Sequence, residues 1–340
     1  MSIEQIRPHS LGFVPDIYFD QTAFSNITEM ISDREFHALL RLCGINTVGL
    51  SDYDHFKSFC KISPMLRGHS IPNKIASFLK QCFDIETPCT PQTCDSIWKT
   101  VSNKLFESPA NGWDCLKKLN QNFCAQLLIK PEQLIKIDEI PPEIDPVLCG
   151  NSFINTATRD WKSWEAEMEQ ATNALLAKGG RCLYFKITDQ LAYEIPSVYH
   201  VEQALHIHST EQTALLLTQA LRQLCLICRQ KEMTLYLDIE SIAKKQVILL
   251  LERLYKCVGL PHTVFFTRDL TTLEAMISLS ASLPIGLLSG SFMTGNYPSA
   301  NELKAAYEST VARYPAGLLN VFYGFDLRYS NYEKDRFLAL

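Results

Sequence analysis

The sequence lacks long apolar runs, basic clusters and nucleotide-binding glycine motifs, and each absence argues against a class of function. No apolar run reaches the roughly 18 residues that cross a bilayer, and the amino-terminal residues lack the apolar core of a signal peptide. Lys and Arg total 32 against 37 Asp and Glu, without a basic stripe, which disfavours nucleic acid as a partner. We therefore expect a cytoplasmic protein that binds neither membranes nor nucleic acids.

Neither G-x-G-x-x-G nor G-x-x-x-x-G-K-[ST] occurs, which disfavours the open nucleotide-binding α/β sheets. Instead, short β-branched or aromatic runs alternate with amphipathic helices, and 340 residues with 46% apolar content can form a barrel of roughly 250 residues plus an insertion. The pattern predicts an α/β fold, a (β/α)8 TIM-type barrel. Its eight predicted strands are IYFDQT (17–22), CAQLLI (124–129), VLCGNSF (147–153), CLYFKI (182–187), TLYLDI (234–239), TVFFT (263–267), PIGLLS (284–289) and LLNVFYG (318–324).

The region after the first predicted strand interrupts the alternation, because apolar residues recur there at helical spacing. We predict a helical insertion subdomain at 28–120 and a barrel formed by 1–27 and 121–340. Only about one short helix can follow the last strand. This leaves one flank of the barrel sparsely covered, so self-association into a homo-oligomer is a further expectation.

Three local patterns make specific structural predictions. Trp161, Trp164, Met168, Ala171 and Leu175 share one face of a predicted helix, and Ser209 has capping-box spacing to Gln212. Of the 12 cysteines, Cys225 and Cys228 have no second pair at zinc spacing and are expected to pack as small hydrophobes. Cys89 and Cys94 are expected to form a reduced pair in a polar loop.

Histidine is absent from the carboxyl ends of the predicted strands, where a barrel has its functional residues. Acidic residues follow the strands instead: Asp20, Asp238 and Asp326, with Arg328 two residues beyond the last. These carboxylates could bind a hard cation, or one could act as general base while the guanidinium binds an anionic substrate. The alternative is a structural ion pair between Asp326 and Arg328. The His206-x-His208 pair precedes a helix cap, which favours a surface role over metal binding.

Three segments resemble the uronate (glucuronate) isomerase family, which are barrel relatives of the metal-dependent amidohydrolases. They are SDYDHFKSF (51–59), TPQTCDSIWKTVSNKL (90–105) and AGLLNVFYGFDLRYSNYEKDRFLAL (316–340). The order of elements agrees over about 15–340. The resemblance implies a reversible aldose–ketose interconversion of hexuronates such as D-glucuronate and D-galacturonate. It also implies that Asp326 and Arg328 lie at the site.

The sequence departs from the family at most of the other site positions. Asp20-Gln21-Thr22 stands where the family has His-x-His, Asp238 replaces the strand-five His, and Phe185-Lys186 replaces Asp-His. Phe153-Ile154 and Gly290-Ser291-Phe292 replace a Trp-Arg pair and a Gly-Trp-Trp loop. Because imidazole suits zinc and carboxylate suits harder ions, no metal ligand is assigned and no cofactor is predicted. A divalent metal held by the acids is the alternative that the residue types leave open.

Two functional hypotheses follow. In the first, the chain is an isomerase with a rebuilt site, in which Asp326, Asp238 or Asp20 is catalytic and Arg328 and Lys186 bind the sugar acid. In the second, it is a family member without catalysis, a pseudoenzyme that acts as a sugar-acid-binding or interaction protein. A hydrolase or lyase is disfavoured because the strand ends offer no nucleophile. In both the isomerase and the binding-protein hypotheses, the expected partner is a small-molecule sugar acid.

Overall fold

The computed structural model describes residues 10–14, 24–32, 34–66, 69–107, 124–140, 144–155, 160–187, 191, 196–206, 209–239, 244–267, 288–293, 312 and 320–326. The strands within these residues are β1 (Ser10–Val14), β2 (Cys124–Ile129), β3 (Ile144–Cys149), β4 (Cys182–Lys186), β5 (Thr234–Asp238), β6 (His262–Thr267), β7 (Leu288–Met293) and β8 (Asn320–Asp326).

The α-helices among the described residues fall into two groups along the chain. Between β1 and β2 lie α1 (Ile27–Ile31), α2 (Arg34–Leu42), α3 (Asp52–Ile62), α4 (Ser70–Phe83) and α5 (Cys94–Glu107). Between the later strands lie α6 (Trp161–Ala177), α7 (Val198–His206), α8 (Thr210–Gln230) and α9 (Lys244–Val258). The described residues also form three 3₁₀ helices: Ser63–Met65, Pro131–Glu139 and Gly150–Asn155.

The strands follow chain order, β1 to β8, in the arrangement of a closed barrel. Each neighbouring pair from β2 to β8 is parallel. Parallel neighbours need crossover connections, and among the described residues α6 to α9 provide them between β3 and β6. This confirms the predicted α/β fold, a TIM-type barrel with helices inserted after the first strand.

Side chains of the barrel strands alternate between two packed faces, as strand geometry requires. On β4, Leu183 and Phe185 are fully buried, and this strand lies against α8. The opposite face forms a cluster of Val147, Tyr236, Val264 and Phe266, against which Leu128, Cys182 and Tyr184 pack. Gln126 Nε2 donates to Tyr236 Oη at 2.8 Å. Since β2 and β5 are not neighbours in the sheet, this bond crosses the barrel interior.

The predicted helix patterns of the barrel region are confirmed. The five residues assigned to one face of α6 are all buried, and the Ser209 side chain accepts from the Gln212 backbone N–H at the start of α8. Cys225 and Cys228 are fully buried on α8. Burial raises the pKa of the Cys225 thiol to about 12, so it stays a neutral packing group.

Trp164 fixes the position of the segment that follows β3. Its side chain is fully buried, and its Nε1 donates to the Phe153 carbonyl at 2.8 Å. Trp164→Phe removes this donor and leaves a buried carbonyl unsatisfied, so we expect a loss of about 1–3 kcal/mol in the free energy of unfolding. Trp161→Phe, the same change one turn earlier in α6, is the control and should cost less. Equal losses in urea denaturation would contradict a special role for Trp164.

The chain forms two compact units: residues 1–13 with 124–324, and residues 14–123 with 325–340. In the second unit, α1 to α5 pack around the fully buried side chains of Phe36, Phe56, Phe59 and Phe78. The Thr28 hydroxyl on α1 donates to the Asp52 carbonyl at the start of α3, at 2.7 Å. The domain boundaries predicted from the sequence stay a prediction.

Several strand predictions differ from the structure. The predicted first strand, 17–22, lies outside the described residues, and the first described strand is β1. The predicted third strand, 147–153, is displaced: β3 begins before Pro146 and ends at Cys149, because the next six residues form a 3₁₀ helix. Pro146 has no amide proton to donate, which makes proline unusual inside a strand. The predicted seventh strand, 284–289, overlaps β7 (Leu288–Met293) at two residues, and its first four residues lie outside the described residues.

The prediction that Cys89 and Cys94 lie in polar surroundings in a loop is wrong, because both side chains are buried. Cys94 begins α5, both side chains are buried, and both are unpaired cysteines. They lie against the fully buried Cys60, whose thiol pKa is raised by its hydrogen bond with Cys89 and by burial. This cluster of thiols is part of the core of the helical unit.

No helix among the described residues is both long enough and apolar enough to cross a membrane.

Candidate functional site

Two of the predicted site residues lie side by side at the carboxyl ends of neighbouring strands. Lys186 is the last residue of β4, Asp238 is the last residue of β5, and the two are Cα partners in the parallel register. On the other side of Asp238, its register partner on β6 is Phe266. The backbone ladder continues one residue further, because the Ile187 amide donates to the Asp238 carbonyl at 2.8 Å. Lys186 and Asp238 are therefore held on rigid strand ends.

Asp238 has a hydrogen-bond partner that was not among the predicted site residues. The Tyr184 hydroxyl donates to Asp238 Oδ2 at 2.6 Å, which is the short distance of a charge-assisted bond to a carboxylate. Tyr184 is the register partner of Tyr236, so its side chain reaches diagonally to the residue two positions along β5. The signal in the sequence was the alternation itself, since Tyr184 lies two residues before Lys186 and hence on the same face of β4.

Asn151 holds the backbone of Lys186 in place. Its Nδ2 donates to the Lys186 carbonyl at 2.8 Å, and its Oδ1 accepts from the Lys186 amide at 2.6 Å. One side chain thus imitates a neighbouring strand just beyond the end of β3. The adjacent Gly150 permits this close approach, because a Cβ there would lie 2.3 Å from Leu224 Cδ1 and 3.2 Å from the Tyr184 carbonyl oxygen.

We expect Asn151→Ala to destabilise the end of β4, because it removes both bonds to the Lys186 backbone. The expected loss is about 1–3 kcal/mol in the free energy of unfolding, measured by urea denaturation. The control is Asn173→Ala on α6, where an exposed Asn accepts one bond from Lys231 at 2.8 Å. That change should stay within about 0.5 kcal/mol. Wild-type stability in the Asn151 variant would show that its two bonds to the Lys186 backbone do not stabilise the end of β4.

The other predicted site residues are not brought together by the described part of the chain. Asp326 is the last residue of β8, but its side chain is outside the description, and Asp20 and Arg328 lie wholly outside the described residues. Their predicted roles stay predictions. Among the family positions that differ, Phe153 and Ile154 lie in the 3₁₀ helix after β3, and Gly290-Ser291-Phe292 lies within β7. His206 is exposed at the end of α7, and His208 lies outside the description.

The described strand ends do not fit a divalent metal ion. Asp238 supplies one carboxylate, and its register partners are an ammonium group and a phenyl ring, neither of which is a metal ligand in these forms. In the part of the chain that the structure describes, no group of three or more His, Cys, Asp or Glu side chains could hold a metal ion. No step of the chemistry proposed below is therefore assigned to a metal.

The fold and the strand-end residues together define the structural class of this protein. It is an α/β barrel of the TIM type, with helices inserted after β1 and polar residues at the carboxyl ends of its strands. Two solved structures share this fold. They are a uronate isomerase from Thermotoga maritima, with a TM-score of 0.71 and 13% identity over 97% of this chain and 86% of that one, and a glucuronate isomerase from Caulobacter crescentus, with a TM-score of 0.70 and 12% identity over 98% and 85%.

Sequence comparison points to the same family. Uronate isomerases from Bacillus pumilus (strain SAFR-032) and Clostridium perfringens (strain 13 / Type A) are 32% and 30% identical to this chain over 111 and 128 residues. These matches cover 31% and 36% of this chain but only 23% and 25% of the relatives, about a quarter of their length. No protein-family model matches the chain. The chain is similar to uronate isomerases in these partial sequence matches and in its fold, which confirms the resemblance predicted from three segments.

Proposed function

We propose that this protein binds a hexuronate at the carboxyl ends of its barrel strands and interconverts its aldose and ketose forms. D-glucuronate and D-galacturonate are the substrates that the likeness to uronate isomerases suggests. The observation that carries the proposal is the register pairing of Lys186 with Asp238 at the ends of β4 and β5. One side chain offers positive charge and the other a basic carboxylate, on a fold shared with uronate isomerases.

The proposed chemistry divides between these two residues. A sugar acid carries a carboxylate, and the Lys186 ammonium is a suitable donor and point charge for it. The Asp238 carboxylate removes the proton from C2 of the aldose and returns it to C1, while the hydroxyl proton on O2 passes to O1. On the other side of Asp238 its register partner is Phe266, an apolar side chain that brings no charge of its own to the strand ends.

Asp326, Asp20 and Arg328 enter the proposal on their positions in the sequence. Arg328 would bind the sugar carboxylate in a bidentate manner, which a planar guanidinium does better than an ammonium. Asp326 or Asp20 would be the general base if Asp238 proves to be only a binding residue. A cytoplasmic location, self-association and the absence of nucleic-acid partners stay predictions. None of the ten described cysteines forms a disulfide, as is usual for a reducing compartment.

The test is turnover of D-glucuronate and D-galacturonate by the purified chain, followed by the loss of the aldose anomeric signals in proton NMR. The metal content of the protein is measured first, and the assay is repeated with zinc, manganese and magnesium. Interconversion that depends on protein concentration supports the proposal. Neither substrate reacting under any of these conditions would refute isomerase activity.

The second candidate is a sugar-acid-binding protein without catalysis. The observation that favours it is the replacement of imidazoles by other side chains, because Asp238 and Phe185-Lys186 occupy positions where the resembling family has histidine. Calorimetric titration with both uronates separates the two candidates. Uronate binding without turnover, abolished by Arg328→Ala, supports the binder. A change in melting temperature alone would show that Arg328 forms a structural ion pair with Asp326.

A further inference from the structure

We infer that Tyr184 is a positioning residue for Asp238: its hydroxyl fixes the orientation of the carboxylate that serves as the base in the isomerisation. The inference rests on the proposed function and deepens it. Tyr184 is not assigned to the site by the family resemblance or by the sequence pattern of strand-end acids. It is identified by the 2.6 Å contact between its hydroxyl and Asp238 Oδ2.

A carboxylate needs such a partner because its terminal torsion has a broad, roughly two-fold energy profile. Loss of the Tyr184 donor would leave the plane of the Asp238 carboxylate less constrained toward a bound sugar. A hydroxyl that donates to Oδ2 selects one plane and fixes where the other oxygen lies. Proton transfer between C1 and C2 requires one oxygen to reach two adjacent carbons, so this alignment affects the rate more than the affinity.

The ring of Tyr184 is itself fixed, which lets it transmit this constraint. It packs against the cluster of Val147, Tyr236, Val264 and Phe266 that fills the barrel interior below Asp238. Its backbone is the register partner of Tyr236 in the middle of the β4–β5 ladder. The hydroxyl is therefore presented to Asp238 from a packed layer and from a rigid strand.

The barrel provides a matched control in Tyr236, which is the register partner of Tyr184 and lies one layer below Asp238. The Tyr236 hydroxyl accepts from Gln126 Nε2 at 2.8 Å and from Cys182 Sγ at 3.3 Å, among side chains of the interior. Tyr236→Phe and Tyr184→Phe make the same chemical change: each removes one hydroxyl, from a buried ring at Tyr236 and from a partly buried ring at Tyr184. Only the change at Tyr184 removes a donor to Asp238.

The experiment measures kcat, KM and melting temperature for the wild type, Tyr184→Phe, Tyr236→Phe, Asp238→Asn and the double variant Tyr184→Phe/Asp238→Asn. We expect Tyr184→Phe to lower kcat about 10- to 100-fold while KM changes less than about two-fold. Tyr236→Phe should retain wild-type kcat in its folded fraction. The double variant should be no slower than Asp238→Asn alone, because Tyr184 acts through Asp238.

The possible failures of the two proposals are distinguishable. If the wild type turns over a uronate and Tyr184→Phe retains its kcat, the positioning role is wrong and the proposed function stands. If both tyrosine variants lose kcat equally, the effect belongs to the barrel interior and the inference also falls. If the wild type converts neither D-glucuronate nor D-galacturonate, the proposed isomerase fails and the inference fails with it.

Discussion

Asp238→Asn is expected to lower the kcat of uronate interconversion by about 10²- to 10⁴-fold, the usual contribution of a positioned general base. Asparagine has nearly the shape of aspartate and can still accept the Tyr184 hydroxyl through its amide oxygen. It cannot take up a proton at C2 and deliver it to C1. We therefore expect KM to change only a few-fold and the melting temperature to stay close to that of the wild type.

The control for this prediction is Asp138→Asn, because Asp138 is an exposed carboxylate paired with Lys178 and lies outside the strand ends. Steady-state kinetics on both variants should show wild-type turnover for Asp138→Asn. Full activity in Asp238→Asn would transfer the role of base to another carboxylate, with Asp326 and Asp20 as the candidates. A variant that fails to fold would be recognised from its far-UV circular dichroism and excluded from the comparison.

Phe185→Ala should produce the largest loss of stability, about 3–5 kcal/mol in the free energy of unfolding. Phe185 is fully buried on β4, next to Gly150 and directly before Lys186. Its removal leaves a cavity beside the end of β4 that Asn151 holds. Phe106→Ala is the matched control, since Phe106 is 87% exposed on α5. We expect that change to stay within about 0.5 kcal/mol.

Urea denaturation followed by tryptophan fluorescence measures both changes, because Trp161 and Trp164 are buried in the unit that contains Phe185 and Trp98 lies on α5 with Phe106. A loss below about 1 kcal/mol in Phe185→Ala would mean that the barrel rearranges to fill the space. A large loss in Phe106→Ala would indicate that this exposed ring is covered in solution, for example by a second copy of the chain.

The local features of the barrel could be predicted from the sequence because each depends on neighbouring residues. The alternation in TLYLDI placed Asp238 at a strand end, and the spacing of the two tryptophans placed them on one buried face of α6. β1 was missed because SLGFV is a short run beside several polar residues, with weak periodicity. Strand ends and helix faces obey fixed periods, whereas a short isolated strand depends on its partners in the sheet.

The contacts that organise the candidate site could not be predicted from the sequence, because they join residues that are distant in the chain. Tyr184 and Asp238 are 54 positions apart, and Asn151 and Lys186 are 35 positions apart. Knowing both strands does not reveal their register, and a shift of one residue would turn Tyr184 to the other face. The same holds for Cys60, which lies against Cys89 and Cys94 only because α3 and α5 pack together.

The most direct test of the account is a crystal structure of the chain soaked with D-glucuronate or D-galacturonate. The account predicts a sugar acid at the carboxyl ends of β4 and β5, with its oxygens within hydrogen-bond distance of Lys186 Nζ and its C1–C2 bond facing the Asp238 carboxylate. A uronate bound elsewhere, for instance in the cavity of about 630 Å³ that Leu134, Phe153 and Ala171 help to line, would contradict it. So would a soaked crystal in which only solvent contacts Lys186 and Asp238.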